Sequence, residues 1–251
     1  MLTEERFSII IDTVNREKSV GINRLCELLG ASVSTVRRDL NTLDEMGKIV
    51  KVHGGAVTIN GDLPQLEAIE RNIEEKAVMF PEEKTAIAMF ASQLIENGDF
   101  VFIDAGTTTA KLIELLPQRD ATFVTNAFTN AKMLAQRGFR VYLPAGEIKL
   151  STEAIIGAEC VMSLQKYNFT KCFLGANGVS VNAGITTPDV NEARVKEAVI
   201  ANSSKSFILA DHSKFDKISS VTFAQISKVQ IITDKIIDAK YAEFTSIKEV
   251  M

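Results

Sequence analysis

The stretch SVSTVRRDLNTLDEMGKIVKVHGGA, residues 32–56, decides the fold of the N-terminal part of the chain. Ser32 opens it, and serine caps helix N-termini well because its hydroxyl accepts a hydrogen bond from a backbone N–H of the first turn. Apolar residues then recur at helical spacing, at Val33, Val36, Leu40 and Leu43. Gly47 follows this pattern, where glycine commonly ends a helix. The first half of the stretch therefore predicts a helix that ends before Gly47.

The second half of the stretch predicts a β-ribbon. Residues 48–53 alternate between polar and apolar side chains as a strand does. Gly54 and Gly55 can turn the chain, and residues 56–59 can form the returning strand.

Upstream of this stretch, two further apolar patterns predict helices. The first follows Thr3 and carries Ile9, Ile10, Thr13 and Val14. The second carries Ile22, Leu25, Leu28 and Leu29 and is closed by Gly30. Two helices, a short turn, a third helix and a β-ribbon form the layout of a winged helix-turn-helix. Residues 1–58 are therefore predicted to be a winged helix-turn-helix DNA-binding domain.

The third helix is the predicted recognition helix. Its polar residues near the N-terminus lie off the apolar stripe, where arginine can reach a guanine edge or a phosphate and hydroxyl groups can bond backbone oxygens. A solvated helix face can carry the same residues, but here they lie within a complete helix-turn-helix pattern. The expected DNA contacts in this helix and its cap are Ser32, Ser34, Thr35, Arg37 and Arg38.

The net charge does not by itself indicate a nucleic-acid partner. It is −4 for the whole chain, and residues 1–57 carry eight basic and eight acidic side chains. A DNA-binding function must therefore rest on where the charges fall. No apolar run approaches the roughly 20 residues of a membrane span, and the first residues lack the features of a signal peptide. We expect a cytoplasmic protein.

The cysteines give no sign of a metal or redox site. Cys26, Cys160 and Cys172 lie far apart, and the chain has only two histidines, His53 and His212. Small apolar core residues in a reducing compartment are the favoured interpretation. We expect no cofactor and no metal.

The remainder of the chain has a different pattern. Residues 59–80 are predicted to be a linker, in which residues 65–79 can form a charged helix. Residues 81–251 alternate apolar strands with helices, which predicts an α/β domain with a doubly wound, mostly parallel sheet. Such sheets bind ligands beyond the carboxyl ends of their strands.

A loop at the end of one predicted strand, Asp104-Ala-Gly-Thr-Thr-Thr109, is chemically suited to a phosphate. Gly106 allows close approach of the backbone, and Thr107, Thr108 and Thr109 offer hydroxyl groups at a helix N-terminus, which favours anions. It matches neither a Walker A loop nor a dinucleotide-binding loop. A capped strand-to-helix turn without a ligand is the alternative.

A second set of polar residues would suit a sugar: Asn177, Glu192, Lys196, Asp211 and Lys214. Carboxylates and amides bind sugar hydroxyls, and lysine binds phosphate as a point charge. Glu192 and Lys196 can equally form an ordinary pair on the surface of a helix.

Two groups of motifs resemble the DeoR family of bacterial regulators. The first is TVRRDL followed by a glycine and HGGA, and the second is the series DAGTTT, TN, GE, GANG, EARVK and DHSKF. The resemblance implies further DNA contacts from Lys51 and His53. It implies a sensor domain similar in fold to ribose-5-phosphate isomerase and glucosamine-6-phosphate deaminase.

By resemblance, the 104–109 loop would hold a phosphate, and Asn177, Lys196, Asp211 and Lys214 would bind the sugar. The TN, GANG and EARVK motifs add Asn126, Gly178 and Glu192 to the expected effector site. Ala145, Arg194 and His212 depart from residues that are frequent in the family, which puts the shape of the sugar pocket in question.

Two segments, GEIKLSTEAIIGAE and GITTPDVNEA, most resemble the family branch that represses fructose operons in response to fructose 1-phosphate. Regulators that respond to tagatose or glycerol phosphates are close neighbours. The expected partners are double-stranded operator DNA, a phosphorylated sugar and further copies of the chain, as a homodimer or homotetramer. The alternative is an isomerase-like enzyme with a DNA-binding appendage, in which Lys196 and Asp211 act as acid and base.

Overall fold

The computed structural model describes residues 3–17, 19–52, 55–58, 65–66 and 72–251. The chain divides into two compact units, residues 1–65 and 66–251. The boundaries of the linker, 59–80, stay a prediction.

The first unit consists of helices and a small antiparallel sheet. Its elements are α1 (Thr3–Glu17), β1 (Ser19–Gly21), α2 (Ile22–Leu29), α3 (Val33–Glu45), β2 (Ile49–Val52) and β3 (Gly55–Thr58). The strand order is β1-β3-β2, so the ribbon gains a third strand that the sequence pattern did not predict. The strands β1 and β3 pack closely, because a Cβ atom at Gly55 would lie 2.1 Å from the carbonyl oxygen of Val20. The winged helix-turn-helix prediction is confirmed.

The core of this unit follows the predicted apolar stripes with two exceptions. Ile10, Leu25, Val36 and Leu40 are buried together. Leu28 and Val33, which the pattern placed on the buried stripes of α2 and α3, are each 40% exposed. Val33 lies in the first turn of α3, at the edge of the core.

The second unit is an α/β domain. Its helices are α4 (Ile73–Val78), α5 (Pro81–Gln93), α6 (Thr107–Leu115), α7 (Phe128–Gln136), α8 (Ala158–Leu164) and α9 (Val190–Ala201). Short 3₁₀ turns lie at His212–Lys214, Ile226–Lys228 and Ala239–Glu243. Its strands, numbered after β4 (Gln65–Leu66), are β5 (Phe100–Ile103), β6 (Thr122–Thr125), β7 (Arg140–Tyr142), β8 (Glu147–Lys149), β9 (Ala154–Ile156), β10 (Phe169–Gly175), β11 (Gly178–Ser180), β12 (Gly184–Thr187), β13 (Ser203–Leu209), β14 (Lys217–Ile218), β15 (Val221–Ala224), β16 (Gln230–Thr233) and β17 (Ile247–Glu249).

The main sheet has the order β17-β16-β13-β10-β5-β6-β7, and its neighbouring strands are parallel. Alternate residues of β5 face opposite sides: Val101 and Ile103 pack in one core with α5, α6 and α7, and Phe102 packs in the other with α8 and α9. Helices therefore cover both faces, which confirms the doubly wound parallel sheet.

Two smaller antiparallel elements were not predicted. Strands β11, β12 and β15 form one sheet, and β8 and β9 form a hairpin. Across the described parts of both units, no helix is long and apolar enough to cross a membrane.

The cysteines are free thiols, and Cys160 and Cys172 are buried. Burial, with a smaller contribution from the charge of Asp104, raises the pKa of Cys160 to about 12. A thiol of this kind is unreactive at neutral pH.

Candidate functional site

The expected DNA contacts lie at the start of α3. Ser34, Arg37 and Arg38 are exposed, and Thr35 is half-buried. Ser32 caps the helix, because its Oγ accepts a hydrogen bond from the backbone N–H of Thr35 at 3.3 Å. The same oxygen lies 2.9 Å from the hydroxyl oxygens of Ser34 and Thr35. Ser32 therefore has a structural role at this terminus.

The acidic residue nearest to the two arginines is paired elsewhere. Asp39 is 4% exposed, and Arg6 of α1 donates two hydrogen bonds to it, from Nε at 2.7 Å and from Nη2 at 3.0 Å. Arg37 and Arg38 are exposed on α3. The carboxylate of Asp39 does not lie beside them on this surface, because it is buried against Arg6. Residues 1–57 carry as many acidic as basic side chains, yet these two adjacent arginines are both exposed at the start of α3.

The wing is tied to the recognition helix. Lys51 of β2 donates from its backbone N–H to Asp44 Oδ1 at 2.9 Å, and its ammonium donates to Asn41 Oδ1 at 2.5 Å. Its side chain is exposed. His53, the other expected contact of the wing, lies outside the described residues.

A cavity in the second unit lies beyond the carboxyl ends of β5, β6, β10 and β13, where the chain pattern predicted a ligand. The predicted effector residues that line it are Asp104, Gly106, Thr107, Thr108, Thr109, Asn126, Asn177, Glu192, Lys196, Asp211 and Lys214. Gly178 is not among the lining residues. It lies in β11, where a Cβ atom would be 2.4 Å from the carbonyl oxygen of Lys217, so packing accounts for the glycine.

Hydrogen bonds hold the 104–109 loop in place. The backbone N–H of Ala105 donates to Asn126 Oδ1 at 3.0 Å, and Asn130 Nδ2 donates to the carbonyl of Asp104 at 3.0 Å. The hydroxyl of Thr109 donates to the carbonyls of Asp104 and Gly106, at 2.7 and 2.9 Å. Thr109 therefore stabilises the loop, as Asn126 does.

Thr107 and Thr108 are the hydroxyl residues of this loop that are available to a ligand. Their hydroxyl groups make no hydrogen bond to another described residue, and both side chains line the cavity. The N–H groups of the first turn of a helix have no partner within the helix. The start of α6 is therefore an anion site in its geometry.

Lys196 forms a buried ion pair with Asp104. Its ammonium contacts Asp104 Oδ2 and donates to the carbonyl of Gly175 at 3.3 Å, and the same carboxylate oxygen accepts the N–H of Gly175 at 3.0 Å. Burial raises the pKa of Asp104, and Lys196 opposes that rise. The charge of Lys196 is thus largely balanced within the protein. The alternative of a surface pair with Glu192 is wrong, since Lys196 and Glu192 are both buried and Lys196 bonds to Asp104.

Glu192 also lines the cavity, one turn before Lys196 on α9. It accepts hydrogen bonds from Thr152 at 2.7 Å, from Lys149 at 3.2 Å and from Thr187 at 3.3 Å. Burial alone would raise the pKa of Glu192, but Lys196, Thr152 and Lys149 together lower it. Thr187 also approaches Asn177 Oδ1 at 3.4 Å. An ionised carboxylate beside an amide is a suitable environment for sugar hydroxyl groups.

Lys84 of α5 is a cavity residue that the sequence analysis missed. It is 5% exposed, and its ammonium donates to the carbonyl of Lys76. Burial lowers the pKa of Lys84, an effect that Asp211 opposes and that Lys214 and Lys76 reinforce. The sequence does hold a signal for it, because Lys84 occupies the buried-face spacing of α5 with Ile87, Ala88 and Ala91.

The three departures from the frequent family residues do not reach the cavity. Ala145 and Arg194 are exposed, and His212 is bonded through Nδ1 to Asp234 at 2.6 Å. None of the three is among the lining residues in the described part of the chain. The shape of the cavity is therefore set by other side chains.

Comparisons with known proteins cover both units. Residues 79–235 match the family model of the DeoR C terminal sensor domain, and residues 6–61 match the DeoR-like helix-turn-helix domain. The chain is 39% identical to the uncharacterized HTH-type transcriptional regulator FruR of Bacillus subtilis, over 100% of this chain and 99% of that protein. It is 34% identical to a lactose phosphotransferase system repressor of Staphylococcus epidermidis, over 92% of this chain and 91% of that protein.

A solved structure also resembles part of the chain. Ribose 5-phosphate isomerase A from Methanocaldococcus jannaschii aligns with 54% of each chain, at 18% sequence identity and a TM-score of 0.39. A likeness at this level has no bearing on function.

Proposed function

Because the chain belongs to the DeoR family of transcription regulators, we propose that it represses a fructose-utilisation operon and leaves its operator when it binds fructose 1-phosphate. Family membership confirms the resemblance of the motifs and makes the chain a sugar-responsive, DNA-binding regulator rather than an enzyme. Lys196, one of the two residues considered for acid–base chemistry, is paired with Asp104.

One observation supports a phosphorylated sugar as the effector. A single cavity combines a helix N-terminus and the buried lysines Lys84 and Lys196 with the polar side chains of Glu192 and Asn177. The helix N-terminus and the lysines suit a phosphate, and the carboxylate and the amide suit sugar hydroxyl groups. A ligand with both chemistries fits better than an unphosphorylated sugar or inorganic phosphate alone.

The assignment to fructose rests on where two segments meet. Lys149 and Thr152 belong to the segment GEIKLSTEAIIGAE, Glu192 and Thr187 belong to GITTPDVNEA, and the first pair donates hydrogen bonds to Glu192. These are the segments that resemble the fructose branch. The relative at 39% identity bears the name FruR. Thr152 and Glu192, one residue from each segment, therefore both line the cavity in which we propose that the sugar binds.

The regulatory mechanism is thermodynamic linkage. If fructose 1-phosphate binds more tightly to the arrangement that does not bind DNA, it weakens DNA binding by the same factor, commonly about 5- to 150-fold. A recognition helix reads only a few base pairs, so we propose a homodimer or homotetramer on half-sites about 34–36 Å apart.

Fluorescence anisotropy tests the proposal with the full chain and a labelled operator duplex obtained by selection from random-sequence DNA. The titration is repeated at fixed salt with fructose 1-phosphate, fructose 6-phosphate, tagatose 6-phosphate, glycerol 3-phosphate and fructose. We expect fructose 1-phosphate to weaken DNA binding most and fructose to have no effect. If a different sugar phosphate releases the DNA, that compound replaces fructose 1-phosphate as the proposed effector. If none of the phosphates weakens DNA binding, the proposal is contradicted.

A further inference from the structure

The segment before the main sheet contributes two lysines to the cavity. Lys76 lies on α4 and Lys84 lies on α5, and both line the cavity beside Gly106 and Thr107. Their charges act on each other, since Lys76 contributes to the lowered pKa of Lys84.

Lys84 is a buried cation whose charge is not balanced by a bonded carboxylate among the described residues. Among the described residues it forms no ion pair within 4 Å, and its hydrogen-bond partner is the neutral carbonyl of Lys76. Lys196, by contrast, contacts the carboxylate of Asp104. A buried charge without a counter-charge is costly, and an anion that reaches it forms a strong, charge-assisted hydrogen bond.

The charged side chains around the cavity favour an anion. The lining holds four lysines, Lys76, Lys84, Lys196 and Lys214, and three carboxylates, Asp104, Glu192 and Asp211. Lys149 does not add to this excess, because it pairs with Asp189 as well as with Glu192, each at 3.2 Å. A phosphate monoester carries a charge of about −1.5 to −2 at neutral pH, and both the excess positive charge and the N-terminus of α6 attract such a group.

Helix α4 is a short helix on the surface of the unit. None of its residues is buried, and the bonds that tie it to the rest of the unit include Ile73 N–H to the carbonyl of Ser151 at 3.0 Å and the bond from Lys84 to Lys76. Phe80, between α4 and α5, has a φ of 51°, a left-handed conformation that is costly for a bulky residue. Strained, lightly packed segments of this kind are suited to move when a ligand binds.

We propose that Lys76 and Lys84 form a clamp on the phosphate group of the effector, so that binding fixes α4 against the start of α6. The clamp rests on the proposed function, because it takes the effector to be a phosphate ester. The phosphate lies between two cations that repel each other, and it joins the exposed helix α4 to the start of α6. Since α4 lies within the predicted linker, residues 59–80, the clamp couples occupancy of the cavity to the segment that leads to the DNA-binding unit.

The test uses the full chain and the variants Lys84→Met, Lys76→Met and Lys132→Met. Lys132 is an exposed lysine of α7 and serves as the matched control. Calorimetry measures the Kd of fructose 1-phosphate and of inorganic phosphate, and hydrogen exchange measures protection of residues 73–79. Circular dichroism checks that each variant folds. Lys76 is only half-buried, so Lys76→Met can still test the clamp if Lys84→Met does not fold.

In the wild type and in Lys132→Met, we expect fructose 1-phosphate to slow exchange in residues 73–79. Each clamp variant should bind it about tenfold or more weakly, as for a lost hydrogen bond to a charged group, and should lose the added protection. Unchanged affinity in both clamp variants would overturn the clamp and leave the proposed function intact. If fructose 1-phosphate does not bind but inorganic phosphate binds in a Lys84-dependent way, the clamp stands and the fructose assignment fails. Binding of neither would overturn both.

Discussion

The starts of α3 and α6 are built from similar residues, yet they differ in how the protein treats the charges beside them. Both begin with closely spaced hydroxyl residues, Ser32 to Thr35 in one and Thr107 to Thr109 in the other. At α3, Arg37 and Arg38 are exposed. In the cavity at the start of α6, Lys84 and Lys196 are buried, and Lys196 is paired with Asp104.

The difference fits the two ligands that we propose, which differ greatly in size. DNA is a long polyanion, so exposed arginines can meet its phosphates and base edges without prior burial. A single phosphate ester must be enclosed to be recognised, and enclosure buries cations that the protein has to balance. The sensor therefore carries a network of buried charges that the DNA-binding surface does not need.

The largest effect should follow from breaking that network. Lys196→Met leaves Asp104 buried without its counter-charge, and removal of one partner of a buried ion pair costs about 3–5 kcal/mol. We expect a loss of this order in the free energy of unfolding of the sensor unit, measured by chemical denaturation. Lys111→Met is the control, because it breaks an exposed pair with Glu114 at 2.6 Å, which is worth about 0–1 kcal/mol. Equal losses would contradict the comparison.

The next effect concerns DNA. Arg37→Ala removes an exposed cation and should weaken operator binding by about 1–3 kcal/mol, roughly 5- to 150-fold. Its Kd for fructose 1-phosphate should not change. Anisotropy and calorimetry on the full chain give the two values, with Arg119→Ala on the exposed surface of the sensor as the control. Loss of both affinities would show that the two surfaces do not have separate roles.

The sequence predicts the DNA-binding surface better than the effector site. The helix cap, the apolar stripe and the arginines of α3 lie within a short contiguous stretch, so local periodicity places them. The cavity depends on strand order instead. Asp104, Gly175 and Asp211 line one cavity only because β5, β10 and β13 are neighbours, an arrangement that the order of strands along the chain does not specify.

The fold shows the same limit. Alternating strands and helices predict the doubly wound sheet, because buried parallel strands are apolar runs of sufficient length. Strands β8, β9 and β11 are three residues long and carry no periodic signal. As a result, the hairpin that brings Thr152 to Glu192 was not predicted.

A smaller effect distinguishes Thr107, in the 104–109 loop, from Thr85 of α5. Thr107→Val removes a hydroxyl that faces the cavity and should weaken fructose 1-phosphate binding about tenfold, as for a hydrogen bond to a charged group. DNA binding without effector should stay as in the wild type. Thr85→Val is the control, since its hydroxyl donates to the carbonyl of Pro81 within α5. A normal response to effector in Thr107→Val would place the phosphate elsewhere.

The smallest effect concerns the cap of the recognition helix. Ser32→Ala removes the acceptor for the N–H of Thr35 and should cost about 1 kcal/mol in the free energy of unfolding of the DNA-binding unit. Ser32→Asn, which retains a capping side chain, should restore most of it. If Ser32→Ala changed operator affinity strongly and stability not at all, Ser32 would be a DNA contact rather than a cap.

The central claim is that the two binding sites are linked, and reciprocal titration tests it most directly. Fructose 1-phosphate is titrated by calorimetry into the full chain, once free and once saturated with operator DNA. The account predicts a weaker Kd in the presence of DNA, by the same factor with which the effector weakens DNA binding. An equal Kd for the free and DNA-bound protein would contradict it.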